Sequence, residues 1–107
     1  MSNKVNYDAE EWKESSIKKF FSKNLLDLPN GTVKILRVDA LAEYPIHIHP
    51  DKTEYIYVLS GNPELIIGDD EYACSPNDFY ILPAAIKHAI LNKTAKECIL
   101  LVGAIKN

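Results

Sequence analysis

The chain predicts an all-β fold, an antiparallel sandwich or barrel, and three observations carry that prediction. From Thr32 onward, short apolar runs are separated by turn-forming clusters every several residues. No run long enough for a crossover helix lies between them, so the chain lacks the βαβ rhythm of a parallel sheet. Of its 107 residues, 47% are hydrophobic, enough for a core without disulfide staples.

Taken in order, residues Met1 to Leu28 read as a short N-terminal helical segment. Asp8 is placed to cap a helix, with Glu11 three residues on as its box partner. Trp12, Ile17, Phe20, Phe21 and Leu25 then form a rough apolar stripe. Pro29-Asn30-Gly31 is a turn that ends the segment, and residues 29–107 form the barrel domain. Within it, strands are expected near Thr32–Val38, Tyr44–His49, Thr53–Ser60, Glu64–Ile67, Glu71–Cys74, Asp78–Leu82, His88–Leu91 and Glu97–Ala104. The punctuation is Pro50-Asp51, Gly61-Asn62-Pro63, Gly68-Asp69-Asp70, Ser75-Pro76-Asn77 and Asn92-Lys93-Thr94. Gly68-Asp69 fits a hairpin turn.

Charge and length narrow the function classes. A net charge of −3 with scattered basic residues argues against a nucleic-acid surface. No stretch approaches the ~18 apolar residues that a membrane span needs. The opening segment is polar and acidic, unlike a signal peptide. Cys74 and Cys98 sit in apolar strand-like runs and read as buried free thiols in a reducing cytoplasm.

The chemistry lies in the three histidines, His47, His49 and His88. His47 and His49 stand two apart on a strand-like run, so both side chains share one sheet face roughly 6–7 Å apart. Pro50 biases His49 toward the extended backbone this requires. Glu54 opens the next run, in phase with Ile56 and Val58, which sets a carboxylate at the mouth of an apolar interior. Burying it unpaired is costly, and coordination to a cation removes the cost. Three imidazoles and a carboxylate suit one divalent first-row ion (Fe, Mn, Ni, Co or Zn) better than Ca²⁺ or Mg²⁺. An octahedral ion so held keeps about two positions for water or substrate.

Two stretches carry a family resemblance. His47-x-His49-(x4)-Glu54-(x6)-Gly61 resembles the first motif of the cupins, and Asn77-(x5)-Pro83-(x4)-His88-(x3)-Asn92 resembles the second. Fifteen residues, Asn62 to Pro76, separate them, similar to the short spacer of microbial cupins. The resemblance spans Thr32 to Ala104 and implies a jelly-roll barrel with a metal inside, held by His47, His49, Glu54 and His88. Three positions depart from the pattern: Leu41 and Asn77 stand where each motif opens with glycine, and Ala85 replaces the glycine two after Pro83. Asn77 tolerates a left-handed backbone, whereas Ala85 suggests a different turn before His88.

The expected activity is that of a small metalloenzyme on a small oxygenated molecule, a sugar or carboxylate isomerase or an Fe-dependent dioxygenase. The alternative is a non-catalytic small-molecule-binding or sensor protein. Cys74 invites comparison with thiol dioxygenases, but those typically lack the carboxylate ligand, so Cys74 reads as core filler. Tyr55, Tyr57 and Leu59 alternate with the inward set and form an outer apolar face, which with the resemblance favours a homodimer.

Overall fold

The computed structural model describes residues 3–107. Two antiparallel sheets face each other as a jelly roll. Ten strands make them: β1 (Lys13–Glu14), β2 (Phe20–Leu28), β3 (Gly31–Val38), β4 (Glu43–His47), β5 (Lys52–Ser60), β6 (Glu64–Ile67), β7 (Asp70–Ala73), β8 (Phe79–Leu82), β9 (His88–Leu91) and β10 (Cys98–Lys106). One sheet has six strands in the order β1-β2-β3-β10-β5-β8, and the other has four in the order β4-β9-β6-β7. No helix among the described residues is long and apolar enough to cross a membrane.

From Gly31 onward, each expected strand forms with its ends shifted by at most two residues. The N-terminal helical expectation is largely corrected. Its helical part shrinks to one 3-10 turn, Tyr7–Ala9, preceded by Asn6 with no side-chain cap, so Asp8 and Glu11 form no capping box. Met1 and Ser2, where that segment begins, lie outside the described residues. Phe20, Phe21 and Leu25 of the apolar stripe instead belong to strand β2, whose Phe20, Phe21 and Ser22 pair with Val38, Arg37 and Leu36 of β3. Positions 17, 20, 21 and 25 fit a helical period by accident. The ready-made edge of β3 wins, because pairing satisfies the backbone and buries Phe20 completely.

The core lies between the sheets. Phe20, Val38, Ile56, Val58, Leu65, Cys98 and Leu100 are almost wholly buried there. Two turns need glycine. Gly68 has φ +62° at the first position of the two-residue loop joining β6 to β7, the hairpin expected at Gly68-Asp69. Gly61 has φ +87°, and a Cβ there would stand 2.6 Å from Cys98 Sγ and 2.9 Å from its Cα. A third tie is Asn92, 1% exposed in the loop between β9 and β10. Its Nδ2 donates to the carbonyls of Val38 (3.2 Å), Asp39 (3.1 Å) and Lys96 (2.8 Å), and its Oδ1 accepts from Thr94 N and Oγ1. That amide fastens the end of the small sheet to the large one.

Leu41, Asn77 and Ala85 have φ of +62°, +77° and +65°. All three keep the left-handed backbone glycine adopts freely. The expectation of a different turn at Ala85 is therefore corrected. The turn is retained with a Cβ on it, and Ala85 N donates to the carbonyl of His49 at 3.0 Å.

Candidate metal centre

Strand β4 delivers the first ligand through an irregularity. Pro45 offers no N–H to the ladder, and the β4/β9 register shifts between Tyr44 and His47. The bulge puts Tyr44 and His47 on the same inner side despite their odd spacing, with ring centroids 4.5 Å apart. The strand stops at His47, two residues short of the expected end, and His49 follows it into the loop. Even so, the His47 and His49 rings remain 4.8 Å apart. His88 enters from β9 directly opposite His47, at 4.2 Å between centroids. Glu54 comes from β5 of the opposing sheet, in phase with Ile56 and Val58 as the alternation requires.

His47, His49, Glu54 and His88 thus meet, with one ligand atom from each lying within 4.8 Å of the others. The Glu54 Oε1 oxygen stands 3.4 Å from His49 Nε2 and 3.3 Å from His88 Nε2. Two ligands about 2.1 Å from one ion are about 3.0–3.4 Å apart at tetrahedral or octahedral angles, so these spacings fit a shared cation.

The tautomers fit as well. His47 Nδ1 lies 2.9 Å from the Pro45 carbonyl, and His88 Nδ1 lies 3.1 Å from the Ile86 carbonyl. A carbonyl only accepts, so Nδ1 carries a proton in both rings, and Nε2 is the nitrogen turned toward the cluster. Such Nδ1–H bonds also fix ring orientation, as they do in metal-ligating histidines. His88 Nε2 points at Glu54 Oε1, an approach that a shared proton or a bound cation makes favourable.

Electrostatics favours a neutral ring at His49 and an ionised carboxylate at Glu54. Burial holds the His49 imidazole below its ordinary 6.5, outweighing the upward pull of Glu54. For Glu54, burial pushes the carboxyl up. The hydrogen bond with His88 and the charges of His49 and Lys52 push it down further, and it ends below its ordinary 4.5. Neutral imidazole and ionised carboxylate are what a metal requires.

These four side chains line a cavity of about 170 Å³ between the sheets. Tyr44 also faces it, together with Ser22, Lys34, Leu36, Lys52 and Ile56. Tyr80 does not; it donates to Asp78 Oδ2 at 2.9 Å and packs on Tyr72. Arg37 turns outward, pairing with Asp39 at 2.9 Å and stacking over Phe21. Cys74 is buried 3% exposed and away from the cavity lining, as core filler should be. Lys34 and Lys52 were missed by sequence reading. The signal that could have found them is strand parity, since Lys34 is in phase with Leu36, and Lys52 with Glu54 and Ile56.

Residues 35–103 match the family model described as "Cupin domain". The chain is a cupin. Solved cupin-like structures share its fold at low sequence identity. A sugar phosphate isomerase of the cupin superfamily from Silicibacter pomeroyi is 22% identical, with 97% of this chain and 76% of that one covered and a TM-score of 0.86. A predicted oxalate decarboxylase from Thermotoga maritima is 14% identical over 96% of this cupin and 98% of its own length, with a TM-score of 0.88. The polyketide cyclase RemF from Streptomyces resistomycificus is 22% identical, covers 98% and 80% respectively, and has a TM-score of 0.84. No curated protein matches this cupin in sequence at a significant level. At these identities the likeness speaks for the fold, and the chemistry has to be argued from the site.

Proposed function

We propose that this cupin binds one divalent first-row transition metal ion, Fe, Mn, Ni, Co or Zn, through His47, His49, Glu54 and His88. The observation that carries the reading is the convergence of these four ligand atoms within 4.8 Å, beside a cavity. When bound, the ion supplies Lewis-acid polarisation of a substrate oxygen, the chemistry of an isomerase-type proton shift, or with iron a site for O₂. The protein's part is to orient the His47 and His88 rings through their Nδ1 bonds to backbone carbonyls, to keep Glu54 ionised, and to exclude bulk water with Leu36, Ile56, Leu82, Ile90 and Val102 around the cavity. The substrate class is a small oxygenated molecule. The activities in the names of the structural relatives, isomerase, predicted decarboxylase and cyclase, belong to those proteins; the metalloenzyme reading of this one rests on its own four ligand atoms and the cavity beside them.

Elemental analysis of the purified protein tests it. Near-stoichiometric metal in the wild type and trace metal in His47→Ala and His88→Ala is the expected result. Equal, trace metal in all three would remove the metal and everything built on it. Oxygen uptake with thiols, diketones and phenols, beside isomerisation assays with sugars and uronates, then distinguishes the two reaction classes. Tight ligand capture without turnover would favour a sensor.

The same reading includes a homodimer in a reducing, cytoplasmic setting. Its support is the outer face of the large sheet, where Tyr55, Tyr57 and Leu59 of β5 lie beside the exposed Phe79 and Ile81 of β8, and the two free buried thiols. A sedimentation mass of one chain at micromolar concentration would sink the dimer.

A further inference from the structure

The cavity has a second chemical end. Lys34 of β3 faces it in the same cross-strand row as Val102 of β10 and Ile56 of β5. Among the described residues Glu54 is the only carboxylate lining the cavity, and it sits on β5, two strands across from Lys34. Strands stand about 4.8 Å apart and Glu54 lies two residues along from the row of Lys34, so the two backbone positions are roughly 12 Å apart. A lysine side chain spans much of such a gap. Among the described residues, no carboxylate forms an ion pair with Lys34 or Lys52, whereas Lys87 and Lys93 on the outer surface pair with Asp69 and Glu64.

A half-buried ammonium without a counter-charge is unfavourable, and an apolar residue at position 34 would pack against Leu36 at no such cost. Lys52 adds to the imbalance, since it lies in phase with Glu54 and its charge already acts on that carboxylate and on His49. Two ammonium groups therefore face one carboxylate before any metal is added, and a divalent ion widens the excess. Ser22 lies beside Leu36 in the adjoining row and brings a hydroxyl to the same side. At about 170 Å³ the cavity is smaller than the ~300–1,000 Å³ of drug-sized ligand sites.

We infer that Lys34 anchors the carboxylate or phosphate of a small anionic ligand whose oxygens at the other end reach the His47, His49, Glu54 and His88 cluster. Lys52 at the mouth draws the anion in. The inference rests on the metal reading only for the far end of the ligand; the anionic end rests on Lys34 alone.

Titration calorimetry on the purified protein, with metal content measured on the same samples, tests it. The probes are malonate and inorganic phosphate, with malonamide as the neutral counterpart of malonate. At least one anion should bind the wild type, malonamide should not, and affinity should fall as salt rises. Lys34→Met should weaken that binding tenfold or more, while Lys34→Arg keeps most of it and metal content stays at the wild-type level in both. Should Lys34→Met not fold, Lys34→Gln carries the same expectation. No anion binding, equal binding by malonamide, or equal affinity in the Lys34 variants overturns the inference. Anion binding through Lys34 in protein that holds no metal would overturn the metal reading and leave the anion site standing; metal-loaded protein indifferent to all anions would do the reverse.

Discussion

The two sheets divide the work unequally. The six-stranded sheet contains three nine-residue strands, β2, β5 and β10, and contributes Phe20, Val38, Ile56, Val58, Cys98 and Leu100 to the core. The four-stranded sheet is made of strands of four or five residues, yet β4 and β9 carry His47 and His88. Long strands give many cross-strand pairs and hence a stiff platform. Short strands place their ends, where polar side chains can turn inward, within reach of the cavity. The site lies at the seam, with Glu54 from the platform opposite two imidazoles from the small sheet. Stability and ligand chemistry are therefore separable, and substitutions should reveal it.

The largest stability effect should come from the platform. Leu100→Ala removes a fully buried side chain and should cost about 2–5 kcal/mol, read as a lower urea midpoint, with metal content per folded molecule unchanged. Loss of metal in that variant would show that the sheets are not separable. Asn92→Ala cuts the fastening between them, removing three donated bonds to the carbonyls of Val38, Asp39 and Lys96, and should cost on the order of 3 kcal/mol by the same assay. A cost within the noise of the midpoint would mean that water replaces the amide.

Acid should act on the small sheet's side of the seam. In metal-free protein, folded His49 takes up its proton at lower pH than it does in the unfolded chain. The unfolded state then binds more protons below 6.5, so stability falls as pH drops through that value. Glu54, also held low, adds a second loss that starts below 4.5. Urea midpoints between pH 7.5 and 5.5 should decline in the wild type and flatten in His49→Gln. The smallest effect should be a gain. Ala85→Gly relieves the left-handed strain at φ +65° and should raise stability by up to about 1 kcal/mol, since the strain relieved exceeds the entropy lost. A lower melting temperature would contradict that reading of the turn.

The strands from Gly31 onward were legible because each alternates apolar and polar residues between turn-forming clusters. β2 was not, because Ile17, Phe20, Phe21 and Leu25 follow a helical spacing and local sequence carries no information about the partner edge. The candidate ligands were legible from spacing for His47 and His49, from strand phase for Glu54, and from the cupin-like second motif for His88. The bulge at Pro45 that aims His47 was not, since a proline tells only that a ladder bond is missing and not where the register recovers. Lys34 went unnoticed because a lone lysine in an apolar strand looks like solvent-facing charge until the neighbouring strands define an inside.

By itself the sequence determined the alternation, the turns and which side chains of β5 share a face, since these follow from a two-residue period within one strand. Tertiary structure alone decided that residues 20–28 extend a sheet, that imidazoles from β4 and β9 meet a carboxylate from the opposing sheet, and that an unpaired ammonium stands across the cavity from them. Those are distances between strands far apart in the chain, set by the pairing and stacking of sheets, and no local preference encodes them.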